Sequence, residues 1–380
     1  MKKIKHFIYR IARFLTIHVC RILPLQDKVI FDNFRRDGFG DDPKYIAQEL
    51  AKSGAKLIWC YMEKPGDYPD YITPVRTYSL KFFYHLCTAK VWIDNVRGTF
   101  WIKKRPKQFY VQTWHGTLSL KKVEMEAPTI PEGWKRASIK DGELTDLMYT
   151  NNDFQKWKYE NIFWYQGPVV KCDVPRLSIL INPSIGLKKK VLDYFNIEGD
   201  PKIVLYAPTF RKDYNMSHYI WNYNNVLNAL DEKFNCHFIM LLRLHPIVAQ
   251  KCDTINYSST IINATNYPDM QELLSVSNIQ INDYSSSMFD FGYLKRPLFL
   301  LAKDVEQYSN SDRGMEFTFD ELPFPLSKSE TELIQNIQSF DLKKYQMNVE
   351  EFYNKIGFVD SGKGAEMVAN MIIERLKYGK

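Results

Sequence analysis

The chain has 380 residues, enough for two domains that each bury a core of their own. Its 45% hydrophobic and 25% charged residues match ordinary globular proteins and exclude a disordered or fibrous class. Six cysteines (Cys20, Cys60, Cys87, Cys172, Cys236 and Cys252) are scattered without a CxxC pair, which excludes a disulfide framework and a zinc site and reads as reduced thiols.

The net charge of +7 is concentrated at one end: the first 26 residues, MKKIKHFIYRIARFLTIHVCRILPLQ, carry six Lys or Arg and no acid. Ile4, Phe7, Ile8, Ile11, Phe14, Leu15, Val19 and Ile22 recur at three- and four-residue spacing, which predicts an amphipathic helix over 1–26. Lys3, Arg10, Arg13 and Arg21 make it too charged to span a bilayer. It reads as a helix on an anionic membrane surface, a basic helix packed on the protein's own body, or an uncleaved signal. Because the basic excess lies on this helix and DNA-recognition signatures are absent, nucleic acid is not an expected partner.

After Pro24, short apolar runs alternate with helical stretches. The first half predicts strands at 28–34 (KVIFDNF), 56–62 (KLIWCYM), 90–95 (KVWIDN) and 109–114 (FYVQTW). DPKYIAQELAKSG, between the first two, has an acidic, Pro-containing start and Gly54 past its end, as a helix requires. Continuous apolar runs joined by helices predict a parallel sheet covered on both faces. Residues 125–200, with EAPTIPEGWKRASIKDGE, read as a loop-rich, irregular insert. From Lys202 the grammar repeats: KIVLYAPTF, a helix around NNVLNALDEKF, HFIMLLRLHP, TIINAT, the helix DMQELLSVS, NIQINDY, a helix from Ser286, and PLFLLA.

Ligands of open parallel sheets bind beyond the carboxyl ends of the strands, and four such ends are chemically loaded. Thr209 and Arg211 follow IVLYAP; Arg243, His245 and Pro246 follow FIMLL. Asp283, Ser285, Ser286 and Ser287 follow IQIN; His115, Gly116, Thr117, Lys121 and Lys122 follow FYVQTW. The serines at a strand-to-helix switch are an ordinary N-cap or, with Arg211 and Arg243 arriving from other strand ends, a diphosphate pocket. GxxxxGK[ST] and a strand-linked GxGxxG are absent, and apart from Asp41 and Asp42, which look like a helix start, there is no carboxylate cluster to seat magnesium. A metal-independent site without cofactor is the expectation. His115 is either a general base at a strand end, with Gly116 allowing a sharp turn, or a satisfied histidine in that turn. His245 is open between phosphate binding, acid catalysis and positioning Arg243. Lys121 and Lys122 are acceptor contacts or a solvated helix start.

Together, QTWHGT, YAPTFR, RLHP and NDYSSSMFDFGYLKRP, with the opening FDNFRRDGFGDDPKYI, resemble the CDP-glycerol glycerophosphotransferase family of teichoic acid and capsule biosynthesis. The resemblance covers nearly everything after residue 28. It implies an α/β, GT-B-like fold of two Rossmann-like domains with parallel sheets facing a central cleft. The implied division is the helix at 1–26, an acceptor domain at 27–185, a CDP-alditol-binding domain at 186–345, and helices at 346–380 returning to the first domain. The implied activity moves glycerol phosphate from CDP-glycerol to a hydroxyl of a polyprenyl-diphosphate-linked or capsular glycan acceptor, releasing CMP, at the cytoplasmic face of a bacterial plasma membrane. A CDP-ribitol enzyme, a sugar-nucleotide glycosyltransferase and a silent nucleotide-binding subunit are the alternatives.

By matching motifs, the resemblance makes His115 the catalytic base and His245 a second catalytic residue. It places Arg211, His245, Ser285 and Ser286 around the donor phosphates and Glu272 at a ribose-binding position; the strand ends themselves add Thr209, Arg243 and Ser287 as donor-phosphate contacts, Asp283 as a nucleotide contact, and Gly116, Thr117, Lys121 and Lys122 as acceptor contacts. Two departures from the family pattern stand out: GPVVKCDVPR, with Lys171 and Asp173 in the place of the Arg and Asp of GxPRND, and Gly364-Ala365 where an Ala-Ser pair is usual.

Overall fold

A computed structural model describes residues 2–378 except 37, 99–101, 212, 246–247, 249–253 and 310–313; the side chains of 2–10, 307 and 309 also lie outside the described set. Pro246, Cys252 and the side chains of Lys3, Ile4, Phe7, Ile8 and Arg10 are therefore not described. The chain divides into two compact units, one of Met1–His115, Ile130–Ser178 and Asp360–Lys380, the other of Gly116–Thr129 and Ile179–Val359.

The first unit holds β1 (Gln26–Asp32), β2 (Lys56–Tyr61), β3 (Ile72–Arg76), β4 (Ala89–Asp94) and β5 (Phe109–Gln112). They form an all-parallel sheet in the order β3-β2-β1-β4-β5. Both faces are covered, which is why the strands read as unbroken apolar runs. Val29, Phe31, Leu57, Trp59, Ile93 and Val111 pack against Ile46 and Leu50 of helix Asp41–Ala51 and Val368 and Ile372 of helix Gly364–Tyr378. On the other face, Ile30, Ile58, Trp92 and Tyr110 meet Phe82, Phe83 and Leu86 of helix Leu80–Thr88, with Cys20 of helix Lys2–Ile22 in the same cluster.

β3 has no counterpart in the sequence reading. Pro74 sits inside it, and a proline is tolerated there because β3 is an edge strand that need not donate on both sides.

The region read as an irregular insert is largely regular. Helix Glu132–Leu144, β6 (Met148–Thr150), helix Asp153–Asn161 and β7 (Val169–Lys171) fill it, and β6 pairs in parallel with β7. Pro131 occupies the N-cap, where no N–H is needed. Gly142 is a packing glycine inside the helix and no breaker, since a Cβ there would lie 1.6 Å from the Trp164 carbonyl oxygen.

The second unit carries β8 (Lys202–Tyr206), β9 (Phe238–Leu242), β10 (Ile261–Asn263), β11 (Ile279–Asn282), β12 (Leu298–Leu301) and β13 (Leu326–Ser327), all parallel in the order β10-β9-β8-β11-β12-β13. Crossover helices Tyr223–Phe234 and Met270–Val276 begin at Asn222 and Asp269, whose side chains accept the first free N–H groups.

Candidate active site

The site residues of the first unit gather beyond the carboxyl ends of β1, β4 and β5. β5 ends at Gln112, earlier than the run to Trp114 suggests, because Trp114 turns the chain in the left-handed region with φ of 57°. The sharp turn assigned to Gly116 thus belongs to Trp114; Gly116 has no positive φ, and a Cβ on it would meet the Leu118 carbonyl oxygen at 3.2 Å. The Trp114 ring is held edge-on by Phe163 at 4.9 Å and covered by the Arg97 guanidinium, also 4.9 Å from its ring centre.

His115 follows, half-buried, with Nδ1 2.9 Å from the Asn95 carbonyl oxygen. A carbonyl only accepts, so Nδ1 carries the proton and Nε2 is left as the acceptor nitrogen. Burial pushes the His115 pKa below its ordinary value, against the Asn95 carbonyl and the Asp41 charge; the ring is neutral at neutral pH. The arrangement can accept a proton from a hydroxyl.

Asn95, which the sequence reading did not single out, holds this corner together. It is fully buried; its Nδ2 donates to Asn33 Oδ1 and Asp41 Oδ2, both at 2.9 Å, and its Oδ1 accepts from the Phe34 N–H at 2.7 Å. Asp41 also pairs with Arg176 at 3.1 Å. Asp42 accepts from the Arg176 N–H at 2.8 Å and from the Tyr149 hydroxyl at 3.1 Å. These two acids therefore do more than start a helix.

The four residues expected as acceptor contacts belong to the second unit or its first residue, within Gly116–Thr129. Thr117 is buried and donates its hydroxyl to Asp290 at 2.7 Å, so it anchors the segment and is not presented to a ligand. Lys121 and Lys122 do not begin a helix. Lys121 pairs with Met315 in an antiparallel bridge and lies over the Tyr308 ring at 4.6 Å, and the Lys122 N–H donates to the Gly314 carbonyl at 3.2 Å.

In the second unit the sequence-predicted donor residues cluster after β8, β9 and β11. Arg211 is not a free fork for phosphate. Its Nη1 lies 2.9 Å from Asp283 and its Nε 2.7 Å from Asp304, with Nη2 3.2 Å from the other Asp304 oxygen. Burial opposes its charge, but these carboxylates more than offset that and raise its pKa. Asp283 is likewise committed, accepting also from the Thr209 N–H at 2.8 Å, so both of its oxygens have protein partners and it braces the β8 end. Tyr284 and Tyr308 stack at 3.5 Å beside Arg211.

Unused capacity lies elsewhere. Thr209 Oγ1 and Arg243 Nη1 are buried atoms without a hydrogen-bond partner among the described residues, which leaves them hydrogen-bonding capacity to use. Helix Ser287–Gly292 starts one residue later than expected. Ser286 at its N-cap is exposed and makes no side-chain cap bond. The Ser287 hydroxyl is turned inward, accepting from Gln280 and Asn282, each at 3.1 Å. Ser285 lies 3.1 Å from Ser287, oxygen to oxygen. His245 is exposed, its ring 5.5 Å from Phe210, and burial lowers its pKa. Glu272 is buried, taking Lys190 Nζ at 2.7 Å and the Tyr267 hydroxyl at 2.6 Å.

Residues 14–374 match the family described as CDP-Glycerol:Poly(glycerophosphate) glycerophosphotransferase. The chain belongs to this family. It is 28% identical to the teichoic acid glycerol-phosphate transferase of Staphylococcus aureus over 98% of each chain. It is 29% identical to the teichoic acid poly(glycerol phosphate) polymerase of Bacillus spizizenii over 94% of this chain and 95% of that one. The polymerase of Staphylococcus epidermidis is longer: 28% identity extends over 92% of this chain and 51% of that protein. A solved structure of the wall teichoic acid polymerase TagF, soaked with CDPG, superposes with a TM-score of 0.85 at 25% identity, covering 99% of this chain and 96% of that one. The fold class read from the sequence, α/β and GT-B-like with two Rossmann-like parallel sheets, is that of the transferase.

The transferase departs from the family pattern in two places that belong to one packing arrangement. Asp173 accepts from the N–H groups of Ser361 at 2.9 Å and Lys363 at 3.1 Å. The approach is so close that a Cβ at Gly364 would lie 2.3 Å from the Val174 carbonyl carbon. Lys171 is separate from this and pairs with Asp153 at 2.8 Å.

Proposed function

We propose that this transferase moves glycerol phosphate from CDP-glycerol to a hydroxyl of a lipid-linked acceptor in teichoic acid synthesis, with His115 as general base. The observation that carries the reading is the Nδ1 bond from His115 to the Asn95 carbonyl, which leaves a neutral imidazole with Nε2 able to accept. The acceptor hydroxyl gives its proton to Nε2 as its oxygen bonds to the glycerol-bearing phosphorus. The bond from that phosphorus to the bridging oxygen breaks, and CMP leaves with the electron pair. Thr209, Arg243, Ser285 and Ser286 are the side chains with capacity for the diphosphate. His245 stands beside them as the acid or positioning group for the leaving phosphate. Positioning and charge stabilisation supply most of the acceleration in such transfers.

Helix Lys2–Ile22 supports a peripheral membrane location at the cytoplasmic face. Phe14, Leu15, Val19 and Ile22 are all exposed in it, beside Arg13, the pattern of a helix lying in an interface. No described helix is long and apolar enough to cross a membrane.

The test supplies the purified chain with CDP-glycerol or CDP-ribitol and a lipid-linked acceptor, and measures CMP and product mass. CMP release with addition of glycerol phosphate is expected, and His115→Ala lowers it by about 10²–10⁴-fold while CDP-glycerol still binds. Undiminished turnover in the variant removes His115 from the role; transfer from CDP-ribitol alone replaces the donor. Turnover is expected to persist in EDTA, because the diphosphate contacts are assigned to side chains.

A further inference from the structure

We propose that Arg35, laid over Trp134 beside His115, is a binding site for a phosphate of the acceptor. This rests on the reading that His115 serves the acceptor hydroxyl, and it gives Arg35 a recognition role that the sequence reading did not assign.

The first observation is a strained turn. Phe34, Arg35 and Arg36 all have positive φ, at 42°, 58° and 74°. Three consecutive side-chain-bearing residues in the left-handed region are costly to hold and persist only where the surroundings over-determine them. Here they do. The Phe34 N–H is taken by Asn95 Oδ1, and the Arg36 N–H donates to the Asn33 carbonyl at 2.8 Å. Arg36 points inward, with Nε 3.0 Å from Asp32 and Nη2 donating to the Gly98 carbonyl at 2.6 Å.

The second observation is what the turn presents. With Arg36 anchored inside, Arg35 is exposed, and its guanidinium lies 5.5 Å from the Trp134 ring centre. Trp134 is itself backed by the Arg97 guanidinium at 5.6 Å, and Arg97 also covers Trp114, the neighbour of His115. Among the described residues Arg35 has no carboxylate within ion-pair distance. A planar guanidinium steered by an indole face is suited to a phosphate oxygen pair.

The third observation ties the turn to the base. Asn95 holds the Phe34 N–H with its side chain and the His115 ring with its carbonyl, so one buried residue fixes both. The Phe34 and His115 rings are 6.0 Å apart. A phosphate near Arg35 is therefore held at a fixed offset from the nitrogen that takes the hydroxyl proton. An acceptor that ends in a glycerol phosphate, or that carries a phosphate near its reactive hydroxyl, has this chemistry.

Arg35→Asn is the variant of choice, because asparagine tolerates positive φ while removing the guanidinium; Arg35→Lys keeps the charge and loses the fork. CMP release is measured with an acceptor ending in glycerol phosphate and with free glycerol. The preference for the phosphate-bearing acceptor is expected to fall about tenfold in R35N, the scale of one charge-assisted hydrogen bond, with a smaller fall in R35K and an unchanged KM for CDP-glycerol. Binding of sn-glycerol 3-phosphate is followed separately by phosphorus NMR without donor. Weaker binding by R35N than by the parent supports the site even if the parent releases no CMP, an outcome that would sink only the donor assignment. Equal sn-glycerol 3-phosphate binding by both proteins, or an unchanged acceptor preference, overturns the proposal.

Discussion

Asn95→Ala tests the heart of the first unit. The substitution deletes two bonds donated at 2.9 Å and one accepted at 2.7 Å, and it leaves the part-buried Phe34 N–H and the buried Asn33 Oδ1 without that partner. At about 1 kcal/mol for each neutral bond and roughly 1.5–3 kcal/mol for the one to the Asp41 carboxylate, the local loss is about 4 kcal/mol. The main-chain carbonyl that receives His115 survives, but the loop carrying it is no longer pinned to β1. A base displaced by about 1 Å costs roughly 10²-fold, so kcat/KM for glycerol-phosphate transfer should fall by about that factor. CDP-glycerol affinity, assigned to the second unit, should hold and serves as the control for folding. Asn95→Asp sharpens the sign: a carboxylate at this position favours the imidazolium of His115, so the acid limb of the pH profile moves up. An N95A variant within threefold of the parent, or an N95D limb that moves down, would refute the claim that Asn95 positions the base.

Further outcomes follow from the same geometry. Because burial lowers the His115 pKa and the neutral ring is the active form, kcat/KM should hold through neutral pH and fall only as pH drops below about 6.5, the ordinary histidine value; a limb well above that, read from initial rates, contradicts the assignment. Asp283→Asn removes one carboxylate from Arg211 in a pair whose side chains are 2% and 10% exposed. It should destabilise by about 3 kcal/mol, more than Asp304→Asn, whose carboxylate is 15% exposed; urea midpoints in the reverse order would show the pairs misjudged. Gly364→Ala drives a methyl into the Val174 backbone and should cost about 1–3 kcal/mol, seen as an earlier urea transition.

The parts of the molecule that a single sequence displays are those set by local pattern. β1, β2 and β4 are continuous apolar runs because helices cover both sheet faces, and helix Asp41–Ala51 announces its start with two acids and its end with Gly54. β3 escaped because Pro74 breaks the strand signature and only its edge position makes that harmless. Helix Glu132–Leu144 escaped because Gly142 looks like a breaker, and the Trp164 carbonyl that demands it lies 22 residues away. At the site, the HGT motif displays His115 but not what orients it. Asn95 acts through a main-chain carbonyl 20 residues earlier, which has no residue signature. Arg211 read as a phosphate ligand because its partner Asp304, 93 residues on, comes near only when β8 and β11 pair and β12 follows. The one local clue to Asn95 was its place in WIDN, directly after a strand and opposite a second strand end.

Helix Lys2–Ile22 sets where the chain can be shortened. Its outward residues Phe14, Leu15 and Val19 touch little, yet Cys20 sits with Phe82, Phe83 and Leu86 in the sheet's own core, Arg21 donates to the Lys103 carbonyl at 2.5 Å, and Arg105 donates to the Leu23 carbonyl at 2.9 Å. Truncation before Phe14 keeps these contacts, whereas cleavage after Leu23 strips a wall from the first unit. If the proposed membrane contact is made by this helix, its loss on short truncation and the loss of solubility on long truncation are therefore separable, and only the former reports on lipid.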